Sequence, residues 1–204
     1  MDIILTAIGT FVELVQAATN WYNKIGENRE KRAANVLLST GIIVAGIRGL
    51  DNSIQKLFGY ISLGVDEIKQ EHREILITQI NEFARENIIH KRIKINIELL
   101  KNLNLKEIEN SGELINKIIK CANEIISVLV AGSSPFESKE QLNDFLKIIR
   151  EKKGFEERER LNRICDDILS LYDQQIIAEA ENAFAGLSAM VLNKYPNIPY
   201  PTWI

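Results

Sequence analysis

Across Met1–Ile25 the polar residues form a single thin line. Asp2, Thr6, Gly9, Glu13, Gln16, Asn20 and Asn23 recur four, three, four, three, four and three residues apart, which strings them along one edge of an α-helix. The rest of the cylinder is apolar or small, with Ile3, Ile4, Leu5, Ile8, Phe11, Val12, Leu14, Val15, Trp21, Tyr22 and Ile25 around it. A surface helix of a soluble protein normally shows the reverse, an apolar stripe on a polar cylinder. Such a segment has two destinations: the middle of a bundle, where neighbours cover it, or lipid.

The chain is long enough for the first. Its 204 residues fit one domain with a substantial core. Apolar content of 46% and charged content of 26% are those of a globular protein. A net charge of −3 argues against a nucleic-acid binder, which needs a basic excess. The charge is uneven, with 14 Lys and Arg against 12 Asp and Glu in residues 1–106, and 11 against 16 in 107–204. The two cysteines, Cys121 and Cys165, sit at apolar helical positions and read as buried free thiols, so a reducing cytoplasm is the expected compartment. The apolar opening lacks a basic flank and is interrupted by Glu13, so no cleavable signal is expected. No run of 18 uncharged residues occurs. The longest, Ala33–Ile47, would cover about 22 Å as a helix, short of the roughly 30 Å hydrocarbon core.

Strand signals are nearly missing, and isoleucine recurs with helical spacing. The first helix is predicted to stop near Gly26-Glu27-Asn28, and a second to run from Arg29 to Arg48, basic at its start. Gly49–Ser53 reads as a turn, with Asp51 or Ser53 capping a long third helix from Ile54 to Leu103. The charged middle of that helix, Asp66–Glu74, is expected to be solvated. Glu113–Val130 carries two adjacent apolar rows: Leu114, Ile118, Cys121, Ile125, Val128 and Ile115, Ile119, Ala122, Ile126, Leu129. Ser138–Gln141 resembles a capping box that opens a helix burying Leu142, Phe145, Leu146 and Ile149. A last helix spans Phe155–Asn193 with an apolar seam of Cys165, Leu169, Tyr172, Ile176, Ala180, Phe184, Leu187 and Val191. Three of the four prolines fall in Tyr195–Ile204, which cannot be helical. Its aromatic content predicts packing rather than disorder. The fold predicted is all-α: a single bundle of five or six helices over 1–194, with an extended Pro-rich tail, 195–204, docked on it.

Few residues carry a chemical signature, and neither a cofactor nor a metal ligand set is expected. Arg85 and His90, four residues apart in between, resemble the signature of the HEPN ribonucleases, in which histidine works as acid or base and arginine stabilises charge at the scissile phosphate. His90–Lys94 is a local basic patch, a solvated helix face or an anchor for anionic headgroups. His72 has no second histidine at ligand spacing. Gly41, Gly46 and Gly49 follow no strand and precede no lysine, so they are expected to permit close helix packing.

The opening helix supports a further expectation. If it leaves the bundle, Ile4, Ile8, Phe11, Val15 and Tyr22 would enter the bilayer. In a homo-oligomer Glu13, Gln16 and Asn20 would line a shared lumen, and Arg29, Lys31 and Arg32 would meet headgroups. Residues 1–25 reach about 37 Å as one helix, enough to cross. An apolar first helix followed by a basic turn resembles the HeLo and Bell cell-death domains and the amino-terminal bundle of the mixed-lineage kinase-like pseudokinase. That resemblance implies a bundle that stays soluble in the cytoplasm until a trigger drives it to oligomerise and disrupt membranes in defence, under control of a protein regulator. Two other functions are open to this sequence. One is a helical protein-binding module such as an immunity protein, antitoxin or adaptor. The other is a ribonuclease that uses Arg85 and His90.

Overall fold

A computed structural model describes residues 3–26, 28–62, 68–84, 88–103, 108, 111–127, 139–151, 155–171 and 174–203, without the side chains of 3–5, 28, 82–84, 155, 171 and 174. The fold is all-α, with no strand among the described residues. Among the described residues eight helical segments succeed one another: α1 (Ile3–Asn23), α2 (Asn28–Ser62), α3 (Gln70–Ala84), α4 (Ile88–Asn102), α5 (Ser111–Ser127), α6 (Lys139–Glu151), α7 (Phe155–Leu171) and α8 (Gln174–Lys194). That is more than the five or six expected, and the extra segments come from two places.

The first is the region predicted as a turn followed by one long helix. α2 runs straight through 49–53, so Asp51 and Ser53 lie inside it rather than at a cap. Burial decides this. Ile43, Ile47, Leu50, Ile54, Leu57 and Ile61 are all fully buried, at four-three spacing, and continuing that row outweighs the turn preference of Gly, Asp, Asn and Ser. The chain then starts α3 at Gln70. The amides of His72 and Arg73 donate to the Lys69 carbonyl at 2.9 and 3.2 Å, and the Arg73 Nε donates back to the Ile68 carbonyl at 2.9 Å. Arg73 is wholly buried, unlike its solvated neighbours Glu71, His72 and Glu74. Buried Ile54, Ile61 and Ile68 stay seven residues apart, so the apolar phase carries no mark of the break. The second place is the predicted last helix, described as α7 and α8 on either side of 172–173; those two residues, Tyr172 of the seam among them, lie outside the described residues.

The chain divides into two compact units. One comprises 1–7, 50–87 and 124–173. In it α6 packs on α3 and on α7. The Phe58 and Phe145 rings lie 6.1 Å apart, and Arg150 grips both carboxylate oxygens of Glu74 at 3.0 and 3.3 Å. The α6 face named from sequence, Leu142, Phe145, Leu146 and Ile149, is buried, with Ile148 beside it. Ser138 of the capping box lies outside the described residues.

The other unit comprises 8–49, 88–123 and 174–204. α2 and α4 approach closely in it, where a Cβ on Gly46 would fall 2.6 Å from the Ile93 Cγ1. Only glycine allows that contact. On α5, Ile115, Ile118, Cys121 and Ala122 are buried, and Gly186 of α8 faces Leu114. Lys117 pairs with Glu179 at 3.6 Å, and Arg48 with Glu181.

Candidate functional site

α1 has a buried side and a wet side. Phe11, Ala18 and Trp21 are buried, as is Ile25 just beyond the helix. Ile8, Leu14, Val15 and Tyr22 are half-buried. Thr6, Gly9, Thr10, Val12, Glu13, Gln16, Ala17, Thr19, Asn20 and Asn23 are exposed. At about 100° per residue the polar line runs down the middle of this exposed half. The helix is therefore neither sealed nor wholly apolar. Small residues that look apolar in sequence, Thr10, Ala17 and Thr19, broaden the polar line to half a cylinder. Thr19 meets its own hydroxyl requirement by donating to the Val15 carbonyl at 2.8 Å, and Gln16 donates to the Asn20 side chain at 3.4 Å.

The five residues assigned to insertion share one line. Ile8, Phe11, Val15 and Tyr22 recur on the packed side of α1 at helical spacing; the side chain of Ile4 lies outside the described residues, and its position extends the same line. Glu13, Gln16 and Asn20 face solvent opposite them. Past the helix, Arg29 and Arg32 are exposed and Lys31 half-buried.

The carboxy-terminal residues meet the far end of α1. Trp21 Nε1 donates to the Pro199 carbonyl at 2.9 Å, and its ring lies 6.0 Å from that of Trp203, tilted by 59°. Ile198 and Pro201 are buried. The amide of Tyr195 donates to Val191, and that of Ile198 to Tyr195, so the chain leaves α8 through turns. Asn20, Trp21, Lys24, Tyr200 and Trp203 help line a groove of about 460 Å³ there. Periodicity within either segment has no means of naming Trp21 as the partner of Pro199, 178 residues away.

Of the two histidines, His72 is exposed and His90 is buried. His90 lies in the first turn of α4, 1% exposed. A general acid or base acting on RNA has to reach a phosphate, and His90 is enclosed within this fold. Arg85 lies outside the described residues. No cluster of three metal-ligating side chains occurs among the described residues. Cys121 and Cys165 are buried free thiols; burial, with the Asp166 carboxylate adding to it, pushes the Cys165 thiol up to about 12 and keeps it protonated. Burial also raises Asp51 above its ordinary value, partly offset by a hydrogen bond from Gln55.

α4 shows what periodicity did not disclose. Its inner face, Ile89, His90, Ile93, Asn96, Ile97 and Leu100, is buried, while Ile88, Ile95 and Leu99 are 41%, 51% and 51% exposed. Lys91, Arg92 and Lys94 of the basic patch are exposed as well.

By length and composition α2 is apolar enough over 29–62 to cross a membrane, and most of its most apolar stretch is buried. A core helix meets the same description.

No protein-family model, curated protein or solved structure matches this chain.

Proposed function

We propose that this protein is a membrane-active helical effector of the cell-death defence type, soluble in the cytoplasm until a trigger frees α1 to enter a bilayer and form or widen a pore. The reading takes its helices as one bundle with the tail docked on α1. The observation that carries it is the two-sidedness of α1. The line Ile4, Ile8, Phe11, Val15 and Tyr22 is the side that has to be uncovered, and Glu13, Gln16 and Asn20 already face water. Release exchanges protein neighbours for hydrocarbon along the first line, at similar apolar burial. Assembly of several copies keeps the second line wet, as polar groups at membrane depth require. Arg29, Lys31 and Arg32 would sit at headgroup level. The likeness to HeLo, Bell and mixed-lineage kinase-like bundles belongs to this reading.

The contact between Trp21, Pro199 and Trp203 is the natural restraint on release. Its hydrogen bond and ring contact are together worth about 2 kcal/mol, enough to bias an equilibrium without locking it. The test is dye release from anionic liposomes by the intact chain, by one lacking residues 1–25 and by Trp203→Ala. The reading expects leakage from the intact chain, more from Trp203→Ala, and none from the truncated chain. Equal leakage from the intact and truncated chains, or none from any of them under any trigger, removes it.

A further inference from the structure

The outward face of α4 is a ridge of three large apolar side chains set among cations. Ile88, Ile95 and Leu99 are seven and four residues apart, which brings them within about 40° of one line on the helix. Arg92 flanks that line on one side and Lys91 on the other, both exposed. The one carboxylate on this face, Glu98, is paired with Lys101 at 2.6 Å. The ridge therefore combines exposed hydrocarbon with positive charge.

We propose that this face docks the folded protein on an anionic lipid surface before any helix is released. The inference deepens the membrane-active reading of α1 and rests on it for the choice of lipid. Charge and area both favour that occupant. Cations flank the apolar line on both sides, the arrangement that places hydrocarbon below a headgroup layer while Lys and Arg remain in it. The helix is about 22 Å long and about 10 Å wide, so its footprint is near 220 Å². A standard protein interface needs about 800 Å² from each partner. A bilayer has no such minimum, because each inserted side chain and each cation contributes by itself.

The test is co-sedimentation of the full-length chain with vesicles of phosphatidylcholine alone or mixed with phosphatidylserine. The parent is expected to sediment with the mixed vesicles only, and to be released as salt rises. The double variant Lys91→Gln, Arg92→Gln should bind about 25-fold more weakly, at about fivefold per cation. Ile95→Ser with Leu99→Ser should lose binding comparably, and Ile95→Leu should retain it. All these side chains are exposed, and unchanged thermal unfolding will verify that each variant folds. Equal sedimentation of parent and variants, equal binding to both vesicle types, or no binding at all overturns the proposal. So does a change in oligomeric state on size exclusion with sedimentation unaltered, which assigns the face to a second copy instead. Vesicle leakage separates the two readings. Sedimentation with no leakage under any trigger keeps docking and removes insertion by α1, whereas leakage that the α4 variants leave unchanged keeps insertion and removes docking.

Discussion

α1 and the middle of α2, residues 33–47, are both strongly apolar, and they have opposite fates. α1 is wet along half its circumference, while α2 is closed around its middle, where every residue from Ser39 to Ile47 is buried. The fraction of apolar residues does not separate them. What differs is the use of small and hydroxylated residues. On α2 they sit inside: Thr40 donates to the Val36 carbonyl at 2.6 Å and so enters the core with its hydroxyl satisfied, and Gly46 lets Ile93 approach closely. On α1 the same kinds of residue, Gly9, Thr10, Ala17 and Thr19, face solvent. Hydropathy alone gives Thr and Gly one value in both places; a neighbour on the other side decides which it is. A helix that is embedded on one side can be peeled away, and one that is enclosed cannot without unfolding the protein.

The sharpest way to break this contrast is a buried charge. Ile43→Asp places a carboxylate where no exposure remains and should cost at least about 4 kcal/mol, a large share of the stability of a domain this size. Val12→Asp, at a position 47% exposed, should shift stability by less than about 1 kcal/mol. Urea unfolding of the two proteins measures both, and similar losses would erase the distinction between the helices.

Glycine substitutions probe the same difference more gently. A side chain at Gly46 collides with Ile93, so Gly46→Val should destabilise by about 2 kcal/mol through overpacking. Nothing lies within 4 Å of a Cβ on Gly9. Gly9→Ala should therefore stabilise by roughly 0.8 kcal/mol from helix propensity, visible as a raised unfolding midpoint. Opposite signs are the expected result.

The smallest effect belongs to Asp51, in the second half of α2. Burial raises its folded-state value above the ordinary 3.8. The raised value means that the folded state holds the proton more tightly. Its contribution to stability is fully present below the unfolded value and fades as pH rises through the folded one. Asp51→Asn should thus raise the melting temperature slightly at pH 7, by less than about 0.5 kcal/mol in stability given its partial exposure, and leave it unchanged at pH 3. Thermal melts at the two pH values test this, and a loss at pH 7 would mean that the carboxylate is held by a favourable partner.

Much of the helical layout is legible along the chain because burial follows local periodicity. Most of the paired rows of α5 up to Ile126 (Ile115, Ile118, Cys121, Ala122, Ile125 and Ile126 buried, Leu114 and Ile119 half-buried, Val128 and Leu129 outside the described residues) and the Leu142, Phe145, Leu146 and Ile149 face of α6 are read directly from spacing. The breaks are not. Ile54, Ile61 and Ile68 keep their phase across the end of α2, and burial at Leu50 and Ile54 carries α2 through residues that favour a turn. Arg73 hides in a charged run that otherwise points outward. At the candidate sites the same limit applies. The polar line of α1 is plain in sequence, but the packing of Trp21 against Trp203 depends on a contact made across nearly the whole chain. His90 belongs by position to a basic patch, yet it points inward, and the apolar members of the outward face, Ile95 and Leu99, look in sequence like two more core residues.

The central claim is that the packed line of α1 leaves its protein neighbours for lipid. The direct measurement is an environment-sensitive fluorophore on Val15→Cys, read with quenchers carried on lipid chains in anionic vesicles while leakage is followed. Native Cys121 and Cys165 are buried, and the Cys165 thiol is pushed up to about 12, so the label goes to the half-buried new site. Quenching from within the hydrocarbon that rises together with leakage is the predicted result. Leakage with a fluorophore that the lipid quenchers never reach would contradict it.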